Sequence, residues 1–145
     1  AVTGNNRWPF FSSRKPKQTI ATMMSIRARS SAVRKENIMK KHFMCTHAFH
    51  NGDAKKAFED AAFGMTDRQT FELLKGEKAE MLGHWRGDEE FFFCHWYAED
   101  EDAIFDQLEK VGFNELMNTL PNEMPIYMAH DKLTDKTVKE MAEEN

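Results

Sequence analysis

Apolar and polar residues alternate along three short stretches of the chain, and a period of two predicts β-strands. The first stretch is KHFMCTHAF at 41–49, where Phe43 and Cys45 lie on one side of the strand. The second and third are AEMLGHWR at 79–86 and EFFFCHWYA at 90–98. These stretches are rich in aromatic and other apolar residues, so they predict strands that pack in a sheet.

The sequence RGDE at 86–89 predicts a tight hairpin between the second and third strands. If Trp85 pairs with Glu90, then Glu80 lies opposite His95. This register places two sets of residues on opposite faces: Leu82, His84, Phe91, Phe93 and Tyr97 on one, and Met81, Trp85, Phe92, Cys94 and Trp96 on the other. A shift of one residue would exchange the faces of one strand relative to the other.

Apolar residues at helical spacing predict three helical segments. Asp53 is the predicted N-cap of the first segment. Thr66 and Gln69 form a capping box at the start of the second. The third spans 100–111, with acidic residues in its first turn, where they suit the helix dipole.

The C-terminal third of the chain predicts one more strand and one more helix. Residues 113–120 are expected to form a connector with a helical turn, and PIYMAH at 125–130 a last strand. Thr134 is the predicted cap of a short C-terminal helix.

The order β-α-β-β-α-β predicts an α+β fold of ferredoxin-like topology, a four-stranded antiparallel sheet with helices on one face. Its strand order would be 4-1-3-2.

Large aromatic residues on both faces of the predicted hairpin indicate how the sheet is covered. Helices cover only one face of such a sheet, and large exposed apolar patches usually mark an interface. The sequence therefore predicts a homodimer that forms through the open sheet face. Replacing Phe91 or Phe93 by a charged residue is expected to dissociate the dimer, or to unfold the chain if the two faces are the reverse of those predicted.

Charge divides the chain into an extension and a domain. Residues 1–38 hold eight basic side chains and one acidic side chain, whereas the remaining residues have a net charge of −11. We expect a basic extension at 1–38, a ferredoxin-like domain at 39–132 and a helical tail at 133–145. The extension fits three descriptions: a transit peptide for a mitochondrion or plastid, translated sequence upstream of a start at Met39, or a tail that binds a partner.

Several function classes are disfavoured by the sequence. The two cysteines are 49 residues apart and form neither a disulfide framework nor a paired zinc motif. No stretch of about 18 apolar residues is present, so no membrane span is expected. The composition and cysteine usage fit a soluble protein in a reducing, intracellular compartment, which is the cytoplasm if residues 1–38 are not a transit peptide. Nucleotide-binding and hydrolase motifs are absent. The acidic domain repels phosphate backbones, which leaves nucleic-acid binding to residues 1–38 alone.

Two long sequence runs resemble a known group of proteins. KKHFMCTHAFHNGDAKKAF and AEMLGHWRGDEEFFFCHWYAEDEDAIFDQLEKVGF are similar to small ferredoxin-like proteins of unassigned function, which are related to nickel-binding members of the dimeric α+β barrel superfamily. The resemblance covers about residues 40–132. It implies a dimer and the binding of a metal or a small ligand.

Histidines supply the candidate chemistry. Neighbouring first and third strands would bring His47 and His95 together, with His84 and Glu80 from the adjacent strand. Imidazoles with one carboxylate suit nickel or another transition metal such as Zn, Cu or Fe(II). Two alternatives remain open: structural histidines in the core, and a histidine that acts as a general base.

The function expected from these features is a small ligand- or metal-binding module that acts as a homodimer. One alternative is an accessory subunit that its basic tail anchors to a larger assembly. Another is a small monooxygenase- or isomerase-like enzyme, which would need a pocket between sheet and helices with a titrating histidine. Binding without catalysis is favoured, since no catalytic motif is present.

Overall fold

A computed structural model describes residues 38–144 of the chain. Its strands are β1 (Lys41–Phe49), β2 (Ala79–Arg86), β3 (Phe91–Ala98) and β4 (Met117–Glu123). Its helices are α1 (Gly52–Ala62), α2 (Asp67–Leu73), α3 (Glu101–Lys110) and α4 (Val138–Glu143), and a short 3₁₀ turn spans Phe113–Glu115. Almost all of the basic extension lies outside the described residues, so the expectations about it stay predictions.

The four strands form one antiparallel sheet in the order β2-β3-β1-β4. The predicted pairing of the first strand with the third is confirmed. An α+β fold with a four-stranded antiparallel sheet and helices is therefore established, and its strand order is compatible with a ferredoxin-like arrangement.

Local capping explains where the helices begin. The side chain of Asn51, not that of Asp53, accepts the backbone N–H of Ala54 and caps α1. The capping box predicted at Thr66 is present at the start of α2. Asp100 caps α3, which places its apolar stripe against the sheet.

One face of the sheet, here called the covered face, packs against the helices. On β1 and β3 its residues are cross-strand neighbours: Phe43 with Trp96, Cys45 with Cys94, and His47 with Phe92. The apolar residues among them form one core with residues of α1 and α3, and His47 is buried beside it. Among the aromatic contacts, the Phe58 ring of α1 lies 5.5 Å from the Phe92 ring. The alternation predicted for β1 is confirmed.

The predicted hairpin register is wrong. Trp85 lies opposite Phe93, and Glu80 lies opposite Tyr97 and not His95. The last pair joins Arg86 to Phe92, so the connecting loop is longer than a tight two-residue turn.

An irregularity between Met81 and Gly83 adds a second error, in the faces assigned to the residues of β2 that follow it. An extra residue in a strand reverses the faces of all residues that follow it. His84 and Arg86 consequently lie on the covered face, whereas Trp85 lies on the opposite face, here called the open face.

The predicted position of the last strand is also wrong. The strand is β4, which includes Pro121 and ends before the predicted stretch begins. The Met124 N–H donates to the His42 oxygen, and the His50 N–H donates to the Leu116 oxygen. These two bonds show which residue pairs between β4 and β1 are hydrogen-bonded, because such pairs alternate along an antiparallel ladder. Pro121 falls on a pair that exchanges no ladder bonds, and β4 is an edge strand, so the missing N–H is tolerated.

Residues 124–130 form neither a helix nor a strand, and Tyr127 places them beside the open face. The Tyr127 ring lies 4.8 Å from the His42 ring and 4.5 Å from the His95 ring.

The C-terminal helix is present, but Thr137 caps it and not Thr134. Within residues 38–144, no helix has the length and apolar character needed to cross a membrane.

Candidate functional site

A cavity of about 480 Å³ lies between the covered face of the sheet and the helices. Strands β1, β2 and β3 supply His47, His84 and Trp96 to its lining. Most of its other walls are apolar and come from helices and connectors, including Phe58, Met65, Phe71, Leu74, Leu108 and Phe113. A mostly apolar cavity with a few polar groups is the usual form of a small-molecule site.

His47 is a buried histidine of the cavity lining, and one of its ring nitrogens has no hydrogen-bond partner. Its ring stacks on Phe92 at 4.7 Å, and its Nδ1 lies 2.8 Å from the Thr119 hydroxyl. Its Nε2 is buried and has no hydrogen-bond partner. Burial, with a smaller effect from His84, lowers the pKa of His47 from 6.5 to about 4. The imidazole is therefore neutral at physiological pH.

Trp96 is the second buried residue with an unpaired polar atom. Its side chain is fully buried, and its indole Nε1 has no hydrogen-bond partner. An indole N–H can only donate, so a group that satisfies it must carry an acceptor atom.

His84 and Cys94 lie side by side in the wall of the cavity. His84 Nδ1 is 3.2 Å from the Cys94 sulfur. Burial, followed by the charge of Arg86, lowers the pKa of His84. Burial also raises the pKa of the Cys94 thiol well above its ordinary value and that of Cys45 to about 12. Both thiols stay protonated at neutral pH, which makes them poor nucleophiles and poor metal ligands.

Arg86, the last residue of β2, contributes a positive charge to the cavity lining. Its side chain is 16% exposed, and its guanidinium carbon lies 4.9 Å from the Phe63 ring centroid and 5.5 Å from that of Phe58. The nearest acid is Glu59, whose oxygen is 4.0 Å from the guanidinium. That distance exceeds a hydrogen bond, so the pair is weak.

A second histidine cluster lies on the open face. His42 Nδ1 and His95 Nε2 are 2.8 Å apart, and the His42 ring contacts Tyr97 and Tyr127. Burial lowers the pKa of both histidines, and the charge of Lys132 acts in the same direction. This cluster joins residues 124–130 to the sheet.

The four residues proposed as metal ligands are not brought together. His47 and His84 line the cavity on the covered face, whereas His95 and Glu80 belong to the open face. In the part of the chain that the structure describes, no group of three or more His, Cys, Asp or Glu side chains is arranged to hold a metal ion. Residues on opposite faces of a sheet cannot share one ion, so a single site formed by all four is not supported.

Two residues of the cavity lining, and Thr119, which contacts His47, were not predicted as site residues from the sequence. Trp96 was only placed on one face of the predicted hairpin, and Arg86 was placed in the hairpin turn. Thr119 was placed in a connector. An unpaired indole N–H and an irregularity in β2 leave no signal in the sequence, because each depends on neighbours that are distant along the chain.

No family model, no curated protein and no solved structure matches this chain. The relationship to nickel-binding proteins therefore remains a prediction. The geometry of the cavity is the basis for a functional proposal.

Proposed function

We propose that this domain binds a compact, mostly apolar organic molecule in the cavity between the sheet and the helices. The observation that carries the proposal is that two residues of the cavity lining, His47 and Trp96, each have one buried polar atom without a hydrogen-bond partner, Nε2 and Nε1. A buried polar atom without a partner costs about 1–3 kcal/mol. Such atoms are rare in native proteins, and a bound ligand is one way to satisfy them.

The size of the cavity supports the same function. Its volume of about 480 Å³ falls within the range of roughly 300–1,000 Å³ typical of small-molecule sites. The apolar walls favour a hydrocarbon or aromatic body. An oxygen on that body would accept a hydrogen bond from Trp96, and neutral His47 would serve as a second hydrogen-bonding partner.

Binding is favoured over catalysis in this cavity. The Thr119 hydroxyl holds the His47 ring, as expected for a positioned base. However, a pKa of about 4 makes His47 a weak proton acceptor at neutral pH, and efficient general bases have pKa values close to the working pH. His47 is better suited to hydrogen bonding than to proton abstraction.

We also infer a ferredoxin-like fold of the dimeric barrel type, with two copies joined through the open face. Leu120, Phe93 and Trp85 lie in one row across the sheet, with Phe91 next to it, and all four are substantially exposed. These four residues are here called the uncovered patch. Residues 124–130 contact the other part of the open face, which leaves the patch available to a second copy.

A neutral probe tests the proposed binding function. We expect 2-naphthol to bind saturably to the full chain in isothermal titration calorimetry. Ala62 lines the cavity, so Ala62→Trp should fill it and weaken binding by about tenfold or more, which is ~1.4 kcal/mol. Ala142→Trp is the matched control, because Ala142 is exposed on α4 and should leave binding unchanged.

A second variant tests the polar contact. Trp96→Phe keeps an aromatic ring but removes the indole N–H, and we expect it to weaken 2-naphthol binding by about fivefold. Circular dichroism checks that each variant is folded. No saturable binding by the unaltered protein, or equal binding by a folded Ala62→Trp variant, would refute the proposed function.

A further inference from the structure

Arg86 is a nearly buried cation that lacks a strong partner, and it lines the proposed ligand cavity. The irregularity in β2 turns its side chain toward the covered face, opposite Phe92. Contacts with Phe58 and Phe63 hold the guanidinium in place. The position of this charge is therefore set by the fold and not by an acid.

The hydrogen-bonding capacity of Arg86 is largely unused. Within residues 38–144 its guanidinium forms no hydrogen bond with another side chain, and Glu59 approaches only to 4.0 Å. Asp67 also lines the cavity, but its carboxylate accepts the Arg68 backbone N–H at 2.7 Å. A guanidinium carries five N–H donors in a planar fork that matches a carboxylate.

Arg86 of β2 and Trp96 of β3 lie at different levels along the two paired strands. Arg86 is paired with Phe92, and Trp96 follows four residues later on the same strand. Four residues of a strand span about 13 Å. Most of the lining is apolar, although His84 and Cys94 lie between these two groups, so the cavity suits a molecule with a polar group at each end of a largely apolar body.

Resting on the proposed function, we infer that the natural ligand is an aromatic or alicyclic carboxylate. Its carboxylate pairs with Arg86 and displaces the weak contact with Glu59. Its apolar body lies against Phe92 and the helices. An oxygen at its other end accepts the Trp96 N–H. Arg86 thus determines specificity for an anionic ligand.

A matched pair of probes tests this inference with the full chain. The probes are 6-hydroxy-2-naphthoate and its neutral analogue 6-hydroxy-2-naphthamide, which differ mainly in charge. We expect the carboxylate to bind about tenfold more tightly than the amide. In Arg86→Gln this preference should disappear, because the carboxylate loses affinity and the amide does not. Arg68→Gln, a change at an exposed arginine of α2, should retain the preference of about tenfold for the carboxylate.

Glu59→Gln provides an independent measurement if Arg86→Gln fails to fold. Removing the competing acid should tighten carboxylate binding about threefold and leave amide binding unchanged. Equal affinities of the two probes for the unaltered protein would overturn the inference. An equal loss of affinity for both probes in folded Arg86→Gln would overturn it as well. If both probes bind equally and Ala62→Trp blocks both, the proposed function stands and charge selection is wrong. If neither probe nor 2-naphthol binds, the proposed function itself fails.

Discussion

His47 shows how a single residue combines structural and functional features. One ring nitrogen is held by Thr119, and the other is buried without a hydrogen-bond partner. Burial keeps the ring neutral, which preserves its ability both to accept and to donate hydrogen bonds. Its stability contribution should consequently depend on pH.

The free energy of unfolding is expected to fall as the pH decreases from about 6.5 to 4. The pKa of His47 is about 4 in the folded protein and near 6.5 in the unfolded chain. Between these pH values the unfolded state binds more protons than the folded state, so acid favours unfolding. His47 alone should lower the free energy of unfolding by about 3 kcal/mol over this range. The shifts of His42, His84 and His95 act in the same direction.

Urea unfolding between pH 4 and pH 8 measures this effect, with His47→Gln as the comparison. The variant should lose less stability in acid than the unaltered protein, and the two should respond alike above pH 7. Identical pH dependence in the two proteins would contradict the assignment of a lowered pKa to His47.

At the scale of elements, strand β2 decides the composition of the cavity. The irregularity between Met81 and Gly83 puts residues from one part of β2 out of phase with those of the other part. Without it, His84 and Arg86 would lie on the open face, away from the helices. Helices α1 and α2 then close the cavity above the residues that β2 presents.

Helix α3 depends on its N-terminal cap. The Asp100 carboxylate accepts the Ala103 N–H at 2.8 Å. We expect Asp100→Ala to lower the free energy of unfolding by about 1 kcal/mol, because that N–H loses its partner and the helix dipole loses a negative charge. Chemical denaturation followed by circular dichroism is the measurement.

Asp106→Ala is the matched control, since Asp106 is exposed on the same helix. It should change stability by less than about 0.5 kcal/mol. If both alanine variants lose the same stability, the cap does not have the role assigned to it.

At the scale of the whole molecule, the two faces of the sheet have different surroundings. The covered face builds the core and the cavity. The open face is divided between a part that residues 124–130 contact and the uncovered patch. An exposed row of Trp, Phe and Leu side chains is costly in water, which motivates the proposed dimer.

Sedimentation equilibrium is expected to give twice the chain mass of 16.9 kDa. Phe93→Lys should produce a folded monomer, because a charge at the centre of the uncovered patch cannot be buried without a partner. Leu133→Lys is the control, as Leu133 is exposed outside the patch. A monomeric unaltered protein at micromolar concentration, or a dimer that persists in folded Phe93→Lys, would argue against this interface.

Prediction from the sequence was most successful where the signal is local. The capping box at Thr66 and the alternation of β1 were predicted correctly, because each depends on residues a few positions apart. The strand at 125–130 was predicted from its apolar residues, but those residues instead lie beside the open face. The β4 sequence, with its asparagines and Pro121, resembles a loop until its pairing with β1 is known.

The sequence alone determined the type and order of most elements, since capping and periodicity act within a few residues. It also indicated that histidines and aromatic residues are concentrated in the strands. Only the tertiary structure decided which of them meet. A single extra residue in β2 moves Arg86 and His84 to the covered face, where they line the cavity with His47, while His95 stays on the open face. That outcome depends on cross-strand register and on packing between distant segments, which no local pattern specifies.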